Sequence, residues 1–220
     1  ANIAVIVKAA VQELKTMGAH PFIIPTMGSH GGATAEGQLE VLESLGVTEV
    51  FCGAPLHSCM DVVQVGETPE GMPVYVDKHA ADADGVLLMG RIKVHTDFKS
   101  PIGIESGLMK MAAIGMGKHK QALLIHSYGV HGIRDIMPEV AKVMLEKVNI
   151  VCGVGIIENA FEQTAIIEAI PTAQIQQRER ELLQQSAALM PKLPVEDIDV
   201  LVVDEIGKNY SGTGMDTNII

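Results

Sequence analysis

His20-Pro21-Phe22-Ile23-Ile24-Pro25-Thr26-Met27 runs directly into Gly28-Ser29-His30-Gly31-Gly32, and from about Thr34 to Leu45 the apolar residues return at helical spacing. An apolar stretch, a glycine-rich turn and an amphipathic segment together predict a strand, loop and helix unit. Working outward, residues 2–15 carry a helical apolar period of their own. Further strands are expected at Glu49–Cys52, Pro73–Asp77, Gly85–Met89, Gln121–Ile125, Ile150–Ile157 and Ile198–Val203. Several of these are continuous apolar runs rather than alternating ones, as in a sheet covered on both faces. Helices are expected at Gly107–Ile114, Ile133–Lys147 and Thr172–Ala188, the last with Arg178, Glu179, Arg180 and Glu181 on a solvated face. Helices and strands largely alternate. The expected fold is therefore α/β, a Rossmann-like, doubly wound and mostly parallel sheet with ligands outside the carboxyl ends of its strands.

The proline-bracketed segment Met190-Pro191-Lys192-Leu193-Pro194 reads as a linker. It divides a first α/β domain, residues 1–195, from the start of a second, residues 196–220. The chain begins inside a helical period and stops at Asn218-Ile219-Ile220 without a polar tail, so the reading expects a fragment.

With 220 residues and 47% hydrophobic content, the chain has ample material for a buried core, and its 22 glycines point to many tight turns. A formal net charge of −11 opposes binding to nucleic acid or to an anionic membrane, and no basic run overrides it. The expected partner is a small molecule, and self-association into a homo-oligomer is left open. Cys52, Cys59 and Cys152 are odd in number and show no close-spaced pair, which argues against a disulfide framework or a thiolate zinc site and for a reducing, cytoplasmic setting. No apolar stretch approaches the roughly 20 residues of a membrane helix.

Chemistry-bearing residues gather in three places. His30 has glycine close on both sides, where small neighbours admit a substrate and amide N–H groups can face an anion. His95 follows the strand at Gly85–Met89, and His126 closes the strand expected at Gln121–Ile125. Lys110 lies between Met109 and Met111 on an apolar helix, where an amine is disfavoured unless it snorkels, pairs or is chemically modified. Ser106-Gly107 at that helix start reads equally as an N-cap or a phosphate cradle. Three readings are compatible with these residues: a cofactor-dependent enzyme, a zinc hydrolase using His30, His95 and His126, or a non-catalytic phosphate- or nucleotide-binding α/β module.

At these residues the sequence resembles the nickel-pincer-dependent lactate racemase family. The resemblance rests on Pro25-Thr26-Met27-Gly28-Ser29-His30-Gly31-Gly32-Ala33-Thr34 and on Glu105-Ser106-Gly107-Leu108-Met109-Lys110-Met111, which look like a divergent branch of that family. It extends to His126, sixteen residues after Lys110. The resemblance implies an isomerase, a racemase or epimerase of a 2-hydroxy acid. It implies nickel held in a pyridinium-3,5-bisthiocarboxylic acid mononucleotide attached covalently to Lys110, with His126 as nickel ligand and Ser106 and Gly107 beside the cofactor's phosphate. His30 and His95 match the two acid/base histidines, and cofactor-maturation proteins become expected partners. The loop between His95 and Lys110 departs from the glycine-richer loop of true lactate racemases. The family's carboxylate-gripping arginine motif would precede residue 1. Lys208-Asn209-Tyr210-Ser211-Gly212-Thr213-Gly214-Met215-Asp216-Thr217-Asn218 resembles the opening of the family's second domain, so the fragment is expected to be inactive alone.

Overall fold

A computed structural model describes residues 2–96, 98–207, 214 and 216–219. Helix α1 (Ile3–Thr16) and helix α2 (Ala35–Ser44) stand where the apolar periods place them. Thr34 starts α2, its Oγ1 accepting from Gly37 N at 3.0 Å. Between them the stretch 20–27 is extended but joins no strand ladder, pairing only through the parallel Ile23–Leu56 bridge. Pro21 and Pro25 supply no N–H, which limits that stretch to an isolated contact. Glu49–Cys52 is not the expected strand but helix α3. Thr48 Oγ1 accepts from Phe51 N at 3.2 Å and Gly53 closes the turn at φ 75°, so capping chemistry prevails over the β-propensity of Val50 and Phe51.

Strand β1 (Val62–Glu67), which the sequence reading missed, pairs antiparallel with β2 (Pro73–Asp77). Helix α4 (Lys78–Asp82) follows at once. Asp77 Oδ1 accepts from His79 N at 2.7 Å and from Ala80 N at 3.2 Å to cap it. The larger sheet contains β3 (Val86–Arg91), β4 (Ile150–Glu158) and β5 (Thr164–Pro171) in the order β3-β4-β5. Its β3–β4 pair is parallel, and its β4–β5 pair is antiparallel. The α/β class is as expected, but the described strands form two small sheets with a single parallel pair.

The chain between β3 and β4 is mostly helical: α5 (Leu108–Lys110), a π turn over Met111–Gly115, α6 (Lys118–His126), α7 (Gly129–His131), a second π turn over Gly132–Ile136, and α8 (Met137–Lys147). Gln121–Ile125 is therefore helix, not strand. Ala122 and Ile125 are buried while Leu123 between them is 57% exposed, a helical period hidden inside an apolar run. Helix α9 (Ile175–Ala188) covers the sheet beside α5. Gly153 on β4 permits this closeness, because a Cβ there would meet Leu108 Cδ1 at 2.7 Å and Ile175 Cδ1 at 3.2 Å.

The core joins β3 and β4 with α5, α8 and α9 through Leu88, Leu108, Met109, Met144, Ile157, Ile175 and Leu182. After α9, residues 191–207 form neither helix nor strand. The strand expected at Ile198–Val203 finds no neighbouring strand to pair with among the described residues, and Val200 and Val202 are exposed. Residues 208–213 and 215, within the stretch read as a second-domain opening, lie outside the described residues. No described helix is long and apolar enough to cross a membrane.

Candidate functional site

Lys110 ends the short α5, whose Leu108 and Met109 are wholly buried, and is itself half-buried. The next turn widens: Met116 N donates to Met111 O at 2.8 Å, five residues back, as a π turn requires. Helix α6 then carries His126 in its last turn. Burial, and secondarily the Lys110 ammonium, hold the His126 imidazole below its ordinary pKa. Lys110 and His126 thus lie within electrostatic reach of each other. A depressed pKa keeps His126 neutral near pH 7, the form in which an imidazole ligates metal.

The exposed His30 sits on a loop fastened to this same helical stretch. Gly28 N donates to Gly115 O at 3.3 Å, and a Cβ on Gly28 would meet Ile114 Cγ2 at 2.9 Å. Gln38 Nε2, from α2, donates to the carbonyls of Gly28 at 2.9 Å and His30 at 3.2 Å. Gln38 is held in turn by Lys118 Nζ, which donates to its Oε1 at 3.2 Å, donates also to Pro25 O, and pairs with Asp77 Oδ2 at 3.0 Å. Lys118, Gln38 and Asp77 are all fully buried. This network came from three separate segments, and no local sequence signal announced it.

His95 is fastened at the other side of Lys110. Lys93 bridges antiparallel to Ser106, with Lys93 N donating to Ser106 O at 2.8 Å, and His95 N donates to Glu105 Oε2 at 2.7 Å. Phe98 packs on the His95 ring at 4.5 Å between centroids. The His95 loop therefore meets the chain just before Lys110, whereas the His30 loop meets it just after.

Ser106 and Gly107 precede α5 as expected, but the helix start already holds a carboxyl group. Glu179 on α9 is 1% exposed, and its Oε2 accepts from Met109 N at 2.9 Å while the Leu108 amide also bonds its carboxylate. Gly107 is needed there because a Cβ would lie 2.7 Å from the Glu179 carboxyl. Burial pushes the Glu179 pKa up to about 7, against the lowering effect of the two amides, and its Oε1 has no partner. These two amides are consequently not open to a phosphate. The sequence reading had put Glu179 on a solvated face, since Arg178, Arg180 and Glu181 around it are charged.

Residues 2–132, the span containing His30, His95, Lys110 and His126 but not Glu179, match the lactate racemase N-terminal domain. The chain belongs to that family. Lactate racemase architecture is visible in the fold as well. The structure is similar to the lactate racemase apoprotein from Thermoanaerobacterium thermosaccharolyticum, with a TM-score of 0.53 at 14% identity over 66% of this chain. The match takes in 37% of the length of that apoprotein. No curated protein sequence matches the chain significantly.

Lys110 is half-buried at the end of α5, and His126 is exposed in the last turn of α6, where desolvation of its ring, and then the charge of Lys110, lower its pKa. For the phosphate of a mononucleotide, Ser106 remains half-buried, but the first amides of α5 are engaged by Glu179.

Proposed function

We propose that the protein is the cofactor-side part of a nickel-pincer-dependent racemase or epimerase acting on a 2-hydroxy acid. The observation that supports this reading is the match of residues 2–132 to a lactate racemase N-terminal domain, with a half-buried Lys110 within electrostatic reach of an exposed His126 in that span. Inverting a carbon that bears hydrogen and hydroxyl by proton removal would create a carbanion next to a carboxylate. When bound, the pincer group supplies an alternative by accepting and returning hydride.

The chain's own residues handle the proton and the anchoring. His30 and His95 act as the two bases, each in turn taking the hydroxyl proton as neutral imidazole and returning it as imidazolium, a duty suited to a side chain with an ordinary pKa of about 6.5. Lys110 is the covalent anchor, and amide-type attachment there removes a charge that apolar surroundings disfavour. His126 is the nickel ligand, and Ser106 and Gly107 lie on the cofactor side. Residues 196–220 begin a second domain that contributes to substrate binding. The setting is the cytoplasm, where maturation proteins load the cofactor.

Intact mass and metal content of full-length matured protein test this reading. The unsubstituted protein should carry an added covalent mass at Lys110 and nickel in proportion to it. Lys110→Ala should lose both together, whereas His126→Ala should keep the adduct and lose nickel. Metal retained without any adduct, surviving Lys110→Ala but lost with His126→Ala, would overturn the proposal in favour of a site of direct histidine ligands.

A further inference from the structure

On the far side of the Lys118 network, where the extended chain after Leu56 meets the start of α4, three different ligand-bearing side chains converge. Cys59 Sγ lies 3.7 Å from His79 Nδ1 and 3.9 Å from Asp77 Oδ2, and the three donor atoms are all within 4.8 Å of one another. His57 stands at the rim, its ring centroid 5.3 Å from that of His79, and is stacked on Phe22 at 4.7 Å. We infer that Cys59, Asp77 and His79 form a zinc site distinct from Lys110 and His126, with a water in the fourth position beside His57.

The donor set selects the metal. A thiolate and an imidazole disfavour magnesium and calcium, which take oxygen ligands. In a tetrahedral site with Zn–S about 2.3 Å and Zn–N about 2.0 Å, the sulfur-to-nitrogen edge is roughly 3.6 Å. A square-planar nickel site with similar bonds would bring adjacent donors to roughly 3 Å. The observed 3.7 Å sulfur-to-nitrogen and 3.9 Å sulfur-to-oxygen separations are nearer the tetrahedral edge than the square-planar one.

The site is also held from outside. Asp77 Oδ1 is fixed by the amides of His79 and Ala80, which leaves Oδ2 turned toward Cys59. Cys59 and His79 are half-buried, so solvent reaches the donors from one side while Asp77 closes the other. Lys118, 3.0 Å from Asp77 Oδ2, adds a positive charge that works against a second cation. The ionised Cys59 and Asp77 supply two negative charges to offset it, and binding should release the thiol proton. The ligands arrive from two segments, Cys59 two residues after the rim histidine His57 and the pair Asp77-Lys78-His79, joined by the β1–β2 hairpin. For that reason the spacing resembles no familiar zinc motif.

The test uses full-length protein carrying Lys110→Ala and His126→Ala, so that the proposed cofactor site is silent. After incubation with zinc sulfate and gel filtration, this parent should retain close to one zinc per chain. Adding Cys59→Ser or His79→Ala should weaken zinc at least about tenfold. Cobalt(II) in the parent should give a thiolate charge-transfer band that Cys59→Ser removes. A parent that retains no zinc, or a Cys59→Ser protein that retains as much as the parent, would overturn the inference. Should the variants fail to fold, alkylation of the parent decides: zinc should slow modification of Cys59 and leave half-buried Cys152 unaffected, and equal rates with and without zinc would count against the site.

Discussion

Replacing Glu179 by Gln should make the protein more stable at pH 8 and leave it nearly unchanged at pH 4. The carboxyl is 1% exposed, accepts from the Met109 and Leu108 amides, and has its pKa raised by burial from 4.5 to about 7. Below pH 4.5 both folded and unfolded chains hold the proton, and this group adds no pH dependence. Between 4.5 and about 7 the unfolded chain releases the proton while the folded chain keeps it, so stability falls as pH rises. At about 1.4 kcal/mol for each pKa unit, the loss comes to about 3 kcal/mol, complete above pH 7. Glutamine imitates the protonated form: it keeps an oxygen for the Met109 amide and cannot ionise. Relative to the parent, Glu179→Gln should therefore gain roughly 3 kcal/mol at pH 8, equivalent to about 6–12 °C in Tm for a chain of this size, and close to nothing at pH 4. Urea unfolding of both proteins at the two pH values measures this directly. A Gln variant that is less stable at pH 8 would refute the reasoning, since it would mean the ionised carboxylate is stabilised by a partner and not penalised by burial.

Lys118→Met should destabilise the protein by about 3–5 kcal/mol in urea unfolding, because it strands the buried Asp77 carboxylate; a loss below about 1 kcal/mol would show the pair to be solvated. Gly37→Ala, in a helix interior where alanine is ordinarily worth about 1 kcal/mol, should instead lower stability, since the new Cβ would fall 2.0 Å from Gly31 O. A rise in its unfolding midpoint would contradict the close approach of α2 to the His30 loop. In the full-length matured enzyme, His30→Ala or His95→Ala should each reduce turnover by roughly 10²–10⁴-fold with the Lys110 adduct intact by mass. Loss of the adduct in both would make them cofactor-binding residues.

Long amphipathic helices were legible in the sequence because each carries its own period: α1, α2, α8 and α9 all lie close to their expected bounds. Strands were legible where they are buried and continuous, as in β2, β3 and β4. Short apolar runs misled, since Glu49–Cys52 and Gln121–Ile125 owe their helical form to a cap and to neighbours rather than to composition. Strand β1, with its polar Gln64 and Glu67, and β5, which alternates along its length, escaped a reading tuned to apolar runs. At the candidate site, Lys110 and His126 stood out by residue type and spacing. Glu179, Gln38 and Lys118 did not, because a buried polar group is defined by what surrounds it in space, and here the deciding partners, Met109 for Glu179 and Asp77 and Gln38 for Lys118, come from distant segments.

The π turn at Met111–Gly115 makes chain length between Lys110 and His126 a matter of angle. A π turn holds one residue more than an α turn, and each residue of an α-helix accounts for about 100° of rotation. Deleting a single residue from that turn would let it relax to α geometry, with little loss of hydrogen bonding, yet would swing everything before it by about a quarter-turn relative to α6. Lys110 and His126 would then face different directions while every side chain of the site was still present. The bulge behaves as a phase setting between anchor and ligand, and a relative that lacked it would need a compensating change of one residue elsewhere in the interval to keep the two in step.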